Sequence, residues 1–293
     1  MAWVVFLTVF LSVGSLLIGS QGIEDVTVFL ELYTTDYELF CVVLREIRLP
    51  RTILALTVGG TLGLCGAVLQ GLLRNPLAEP YILGVSSSAA LGSVSVLYFG
   101  LAASFPIATS LGGIAGTVLA TTVLLIISSK QHDTLTLILG GVAVNAVMGA
   151  LTSLLLNLAP NPYAALEIIF WMFGSLADRG NQHLILALPF MFVGWCLLLS
   201  TGRCLDALTL GEDVAGTLGF NLKIIKILVI CGCALSVGAA VSTAGVISFV
   251  GLIVPHVLRP FVSQSPRELL WVSWFGGAIL LLIADIGVRL LNT

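Results

Sequence analysis

Charge is what this 293-residue sequence lacks most: Asp, Glu, Lys and Arg together make up 9% of it, against roughly 25% in soluble domains. A water-soluble globule is excluded on that ground. The formal net charge of −3 comes without the clustered basic face that nucleic-acid binders carry, so no nucleic-acid partner is expected. No Gly-Lys pair occurs, and hence no Walker A phosphate loop. Neither His132, His183 nor His256 belongs to an H-E-x-x-H pair, and there is no G-x-S-x-G elbow, so the usual signatures of a membrane hydrolase are missing and no catalytic residue is assigned. The six cysteines (Cys41, Cys65, Cys196, Cys204, Cys231, Cys233) lack C-x-x-C or His-bearing spacings and read as small core residues, with no metal site and no cofactor. No span centre carries the chain of Asp, Glu or Lys that ion-coupled pumps commonly use.

What the sequence has in abundance is apolar: 58% of residues are hydrophobic and the mean hydropathy is +1.11. At roughly 20 residues per bilayer crossing, this supplies eight or nine spans. The runs fall at 2–19, 52–73, 81–100, 107–128, 134–158, 183–200, 226–242, 246–261 and 269–291. The sequence therefore predicts an all-α fold, a polytopic transmembrane bundle of about nine helices forming one domain over 1–293, with the lipid bilayer as its main solvent. The first run lacks a basic segment and a small-residue cleavage pattern, so it reads as a retained helix. The 31 glycines suit membrane helices that pack backbone to backbone; Gly59 with Gly63, and Gly112 with Gly116, have small-xxx-small spacing. Residues 164–177 form an aromatic apolar stretch too short to cross and read as a re-entrant or interfacial helix. Residues 21–50 are the longest polar segment and read as a surface loop with a short helix.

With a cytoplasmic N-terminus, the inner loops hold Arg74, Lys130, Arg203, Lys223, Lys226, Arg259 and Arg267, against Arg45, Arg48, Arg51, Arg179 and Arg289 outside. That is a weak positive-inside bias. The longest inner loop, 201–225, contains a short amphipathic helix pattern from Gly211 to Phe220. Val214 and Leu218 share a face, with Glu212 and Asp213 near the end that the helix dipole favours for acids. It is either a contact surface or a solvated connector. Asn145, Gly149 and Thr152 share one stripe of the fifth span, which either lines a polar path or packs between helices. Asp285 and Arg289 are spaced for an i, i+4 pair at the outer interface.

Two stretches carry a resemblance. Arg48-Leu-Pro-Arg51, Gly66-Ala-Val-Leu-Gln70, Asn75-Pro-Leu-Ala-Glu-Pro80 and Leu83-Gly-Val-Ser86 resemble the second span and following loop of the FecCD-type permeases, the membrane subunits of importers for iron-siderophores, haem and vitamin B12. Ser248-Phe-Val-Gly-Leu-Ile-Val-Pro-His-Val-Leu-Arg259 and Ala284-Asp-Ile-Gly-Val-Arg289 are similar to that family's eighth span and ninth-span end. The resemblance implies a permease subunit of a type II ATP-binding-cassette (ABC) importer in the bacterial inner membrane. Its cargo would be an iron complex, a ferric siderophore first and haem or cobalamin next. It further implies ATPase subunits, a periplasmic binding protein and a second permease subunit, identical or a paralogue, as partners. On this pattern Arg48, Arg51 and Arg289 dock the binding protein, with interfacial anchoring by snorkelling as the other reading of the three. Gly211, Glu212, Asp213, Val214, Ala215, Leu218 and Gly219 couple to the ATPase, and Asn145, Gly149 and Thr152 belong to the path. Such permeases usually have ten spans, and no segment here resembles the tenth, so a chain shortened before that helix is expected. An ion-coupled transporter and an intramembrane enzyme are the alternative readings.

Overall fold

The computed structural model describes residues 2–19, 24–103, 105, 107–130, 134–262 and 265–291. Among them every regular element is helical. In chain order these are α1 (Ala2–Leu17), α2 (Glu24–Thr35), α3 (Tyr37–Val42), α4 (Leu49–Leu73), α5 (Val85–Tyr98), α6 (Ala108–Lys130), α7 (Thr134–Asn157), α8 (Pro162–Met172), α9 (Asn181–Ser200), α10 (Gly202–Leu208), α11 (Glu212–Thr217), α12 (Leu222–Ala244), α13 (Val250–Leu258) and α14 (Pro266–Leu290).

The centre of the bundle is α4. Its span is 89% buried, whereas that of α7 is 28% buried. A helix that is apolar or small on every side belongs inside, and α4 is such a helix: Gly59, Gly60, Gly63, Gly66, Ala55 and Ala67 leave it a narrow backbone. Lipid gives no hydrophobic incentive for helices to associate, so close backbone contact has to supply the attraction. The seam with α14 is of this kind. A methyl group on Gly59 would strike the Gly277 carbonyl, and one on Gly63 the Ser273 carbonyl. Gly66 meets the backbone of Gly251 in α13, while Gly112 and Gly116 of α6 meet the backbone of α5 at Gly92 and Ser88. Both small-xxx-small pairs thus lie at helix crossings.

Among the described residues, six stretches are long and apolar enough to cross a membrane: Tyr37–Leu73, Ala108–Ile127, Leu135–Asn157, Asn181–Leu208, Leu222–Ala244 and Pro266–Leu290. The remaining three expected crossings are the shorter helices α1, α5 and α13, and local chemistry explains two of them. Ahead of α5, Pro76 and Pro80 withhold backbone donors, so the chain runs through a 3-10 turn, Pro80–Leu83, before α5 starts at Val85. Ahead of α13, α12 stops at Gly245 (φ 74°) and α13 starts from Phe249, held in the left-handed region at φ 67°. The fourth short apolar helix, α8, is the one expected between the fifth and sixth runs.

Residues 24–50 differ from the expected loop, since they are helical almost throughout. Phe29 of α2 stacks on Phe40 of α3 with ring centroids 4.7 Å apart, and Tyr33 meets both Tyr37 and Phe40 edge-on. Aromatic pairs of this kind add about 0.5–1.5 kcal/mol each beyond their burial, enough to fold a polar segment back on itself. From Tyr37 the helix runs unbroken into α4 through a wide π-type turn, Val43–Arg48, where Leu49 N–H donates to the Leu44 carbonyl. Pro50 has no N–H to continue an α-helical ladder, and the wider turn accommodates that gap.

If the α4–α14 seam is what the backbone contact indicates, Gly277→Ala lowers stability in detergent by about 1–3 kcal/mol through overpacking. The same change at Gly287 of α14, which has open space around it, leaves stability unchanged or raised by up to about 1 kcal/mol. Thermal unfolding of the two variants measures the difference.

Candidate functional site

At one end of the bundle, two arginines from two helices share one carboxylate, and a third, Arg48, lies beside them. Arg51, in the first turn of α4, donates from Nε (3.0 and 3.2 Å) and Nη2 (2.9 Å) to the Asp285 carboxylate of α14. Arg289, one turn further along α14, also pairs with Asp285. This is the i, i+4 pair that the sequence predicts, enlarged by a third member 234 positions away. Arg289 Nη1 donates to the carbonyls of Ser15 (2.9 Å) and Ile18 (2.6 Å), and Nη2 to Ser15 Oγ (2.6 Å). Arg48 Nη1 donates to the carbonyls of Leu16 (2.9 Å) and Leu17 (2.5 Å), and its guanidinium lies 3.8 Å from the centre of the Phe29 ring.

The two buried arginines therefore cap the C-terminal end of α1. The last four carbonyls of a helix have no partner within it, the end carries partial negative charge, and cations there are favoured. Asp285, Arg48 and Arg289 are all at most 7% exposed, while the Arg51 side chain is 19% exposed. A cavity of about 240 Å³ opens beside them, lined by Arg48, Arg51, Arg289, Phe29, Leu32 and Ile47. The three arginines expected to act together are thus contiguous, with two held by α1 and one more open.

The opposite end carries α11. Gly211 enters it at φ 116° and Gly219 leaves it at φ 88°, two positions where only glycine turns without strain. Glu212 and Asp213 occupy its first turn, and Glu212 Oε1 lies 3.4 Å from Arg74 Nη2 at the end of α4. Ala215 is buried against the bundle, whereas Leu210, Val214 and Leu218 are 69%, 38% and 61% exposed. Polar ends and an apolar exposed crest suit a contact surface. Beside α11 lies a cavity of about 1030 Å³, lined among others by Gln70, Arg74, Thr209, His256 and Arg259.

Between the two ends, Gln70 joins the two stretches that carry the sequence motifs. Pro255 has no N–H for the Gly251 carbonyl four residues earlier. Gln70 Nε2 donates to the carbonyls of Leu252 (3.2 Å) and Gly251 (3.5 Å), and Gln70 Oε1 accepts from Arg259 Nη2 at 2.9 Å. A side chain of α4 thus compensates a proline in α13, the arrangement that lets a proline persist inside a membrane helix. Nearby, burial pushes the Glu79 carboxyl above the usual carboxylate range, and the Phe249 backbone N–H it accepts from draws it back.

The α7 stripe is divided. Thr152 is buried and donates to the Met148 carbonyl at 2.8 Å; Gly149 faces open space; Asn145 is half-buried, and its Oδ1 has no hydrogen-bond partner among the described residues. No cluster of metal-ligating side chains occurs among the described residues.

The profile of the FecCD transport family matches residues 7–293. The chain belongs to the FecCD transport family. It is 36% identical to the Fe(3+) dicitrate transport system permease protein of Escherichia coli over 99% of this chain and 91% of that one. It is 40% identical to the cobalamin import system permease protein of Halobacterium salinarum over 85% of this chain and 67% of that one. Among solved structures, an inward-facing conformation of a metal-chelate type ABC transporter superimposes with a TM-score of 0.83 at 31% identity, over 97% of this chain and 88% of that one. This FecCD protein is a transport component of the inner membrane, and its bundle has the ABC-importer permease fold.

Sequence reasoning found the arginines and α11 but not the carbonyls of α1 as the partners of Arg48 and Arg289, nor the bond from Gln70 to α13. Only Pro255, with its forfeited donor, signalled that some side chain had to reach that carbonyl. Replacing Arg48 or Arg289 by Met removes hydrogen bonds from a charged donor, worth about 1.5–3 kcal/mol. Amide exchange at the end of α1, residues 14–18, then speeds up by about tenfold or more, while Arg74→Met at the other end leaves it unchanged.

Proposed function

We propose that the chain, as a single transmembrane domain over 1–293, is the permease subunit through which an ABC importer carries an iron complex from periplasm to cytoplasm. A ferric siderophore is the first candidate cargo, with haem and cobalamin next. The observation that carries the reading is the chain-long match to the family. The iron preference rests on the ferric dicitrate relative, which aligns over 99% of the chain, where the cobalamin relative aligns over 85%. Separate ATPase subunits supply the energy, in keeping with the missing phosphate loop.

In this reading the α11 end faces the cytoplasm, and Gly211, Glu212, Asp213, Val214, Ala215, Leu218 and Gly219 form the ATPase contact. The exposure of Leu210, Val214 and Leu218 supports it. The arginine end faces the periplasm and receives the binding protein. Arg51 makes the direct contact, and Arg48 and Arg289 hold the platform beneath it. Asn145, Gly149 and Thr152 lie along the path beside a second permease subunit; the unpaired Asn145 Oδ1 and the thin cover on α7 support that placement.

Proteoliposomes holding the permease with its ATPase and binding protein are expected to accumulate a ferric siderophore only when ATP is present. Accumulation by the permease alone, under a proton or sodium gradient, sinks the proposal. Deleting residues 211–220 is expected to release the ATPase during purification, and its retention would show that the coupling surface lies elsewhere. Arg51→Glu is expected to weaken binding-protein docking about tenfold or more, through lost attraction and added repulsion, while the ATPase stays attached.

A further inference from the structure

We propose that Asp285 is an internal stand-in for the carboxylate of the docking partner: it holds Arg51 in a bidentate grip until an acidic side chain enters the neighbouring cavity and takes Arg51 over. This rests on the docking role given to Arg51 above.

Four observations carry it. First, the grip is the one a partner's Glu or Asp makes. Arg51 presents Nε and Nη2 to one carboxylate at 2.9–3.2 Å, the fork geometry by which arginine recognises carboxylates. Second, Arg51 and Arg289 share one carboxylate, Asp285, and both line the cavity, so a second negative group beside Arg51 is electrostatically welcome. Third, the arginines differ in how freely they can change partners. Arg48 and Arg289 are bound to the carbonyls that end α1, whereas Arg51 donates to Asp285 and is the more exposed, at 19% against 4% for Arg289. Fourth, Asp285 is not stranded by the exchange. Breaking a buried pair is costly because it leaves one charge uncompensated, but Asp285 keeps Arg289 when Arg51 turns away. The cavity of about 240 Å³ beside Arg51 is where the incoming carboxylate is placed.

The stand-in has two opposed effects. It keeps Arg51 oriented and partly dehydrated in the resting protein, and it competes with the partner for the same donors. Competition dominates because the first turn of α4 already fixes the Arg51 backbone beside the cavity, so docking needs only its side chain to turn.

The test uses the full importer in lipid nanodiscs with its ATPase, and the binding protein as the probe. Asp285→Asn is expected to tighten docking about tenfold and to steepen its dependence on salt, because one more positive charge is left uncompensated. Asp285→Ser serves as a second carboxylate-free variant, and whichever of the two elutes as a single species in size-exclusion chromatography gives the reading. Unchanged or weaker docking in the carboxylate-free variant, with Arg51→Glu still weakening it, overturns the stand-in role alone. If Arg51→Glu leaves docking unchanged, the docking reading fails and the stand-in falls with it.

Discussion

The distance between α4 and α14 sets most of what else the bundle can do. Because Gly59, Gly63 and Gly277 carry no side chain, the two backbones touch, and that contact brings Arg51 to Asp285 at one end. The same economy at Gly66 and Gly251 lets Gln70 reach the Gly251 carbonyl, which Pro255 leaves open, further along the bundle. A separation larger by one methyl group at these crossings would pull both polar links beyond hydrogen-bond range. In a solvent that offers neither hydrogen bonds nor a hydrophobic incentive to associate, close packing and internal polar satisfaction are one requirement.

The spans that are thick with hydrophobic residues were legible in the sequence because length and hydropathy are local properties. The boundaries of α11 were legible too, since Gly211 and Gly219 mark turns that a single residue type favours. Segment 24–50 was not legible as helix, because its stability comes from rings brought together by folding, Phe29 on Phe40 and Tyr33 on Tyr37, and no periodicity announces that. The short α13 was hidden for a similar reason. Its apolar run is long enough to cross, and only the left-handed Phe249 shows where the helix really begins.

The arginine end shows a second limit of sequence. Arg48, Arg51 and Arg289 looked equivalent as outer cations, yet the fold gives them unequal work. Two of them donate to the carbonyls of residues 15–18 at the end of α1, and the third is paired with Asp285. The difference depends on which helix ends beside them, which residue spacing does not encode.

Gln70 and Pro255 stand 185 positions apart in sequence and act on the same turn of α13. A chain that lost Gln70 while keeping Pro255 would leave a carbonyl bare in the membrane, and one that lost Pro255 while keeping Gln70 would carry an amide with nothing left to mend. A substitution at either position therefore alters what the other has to do, and the broken helix is sustained by the two side chains together.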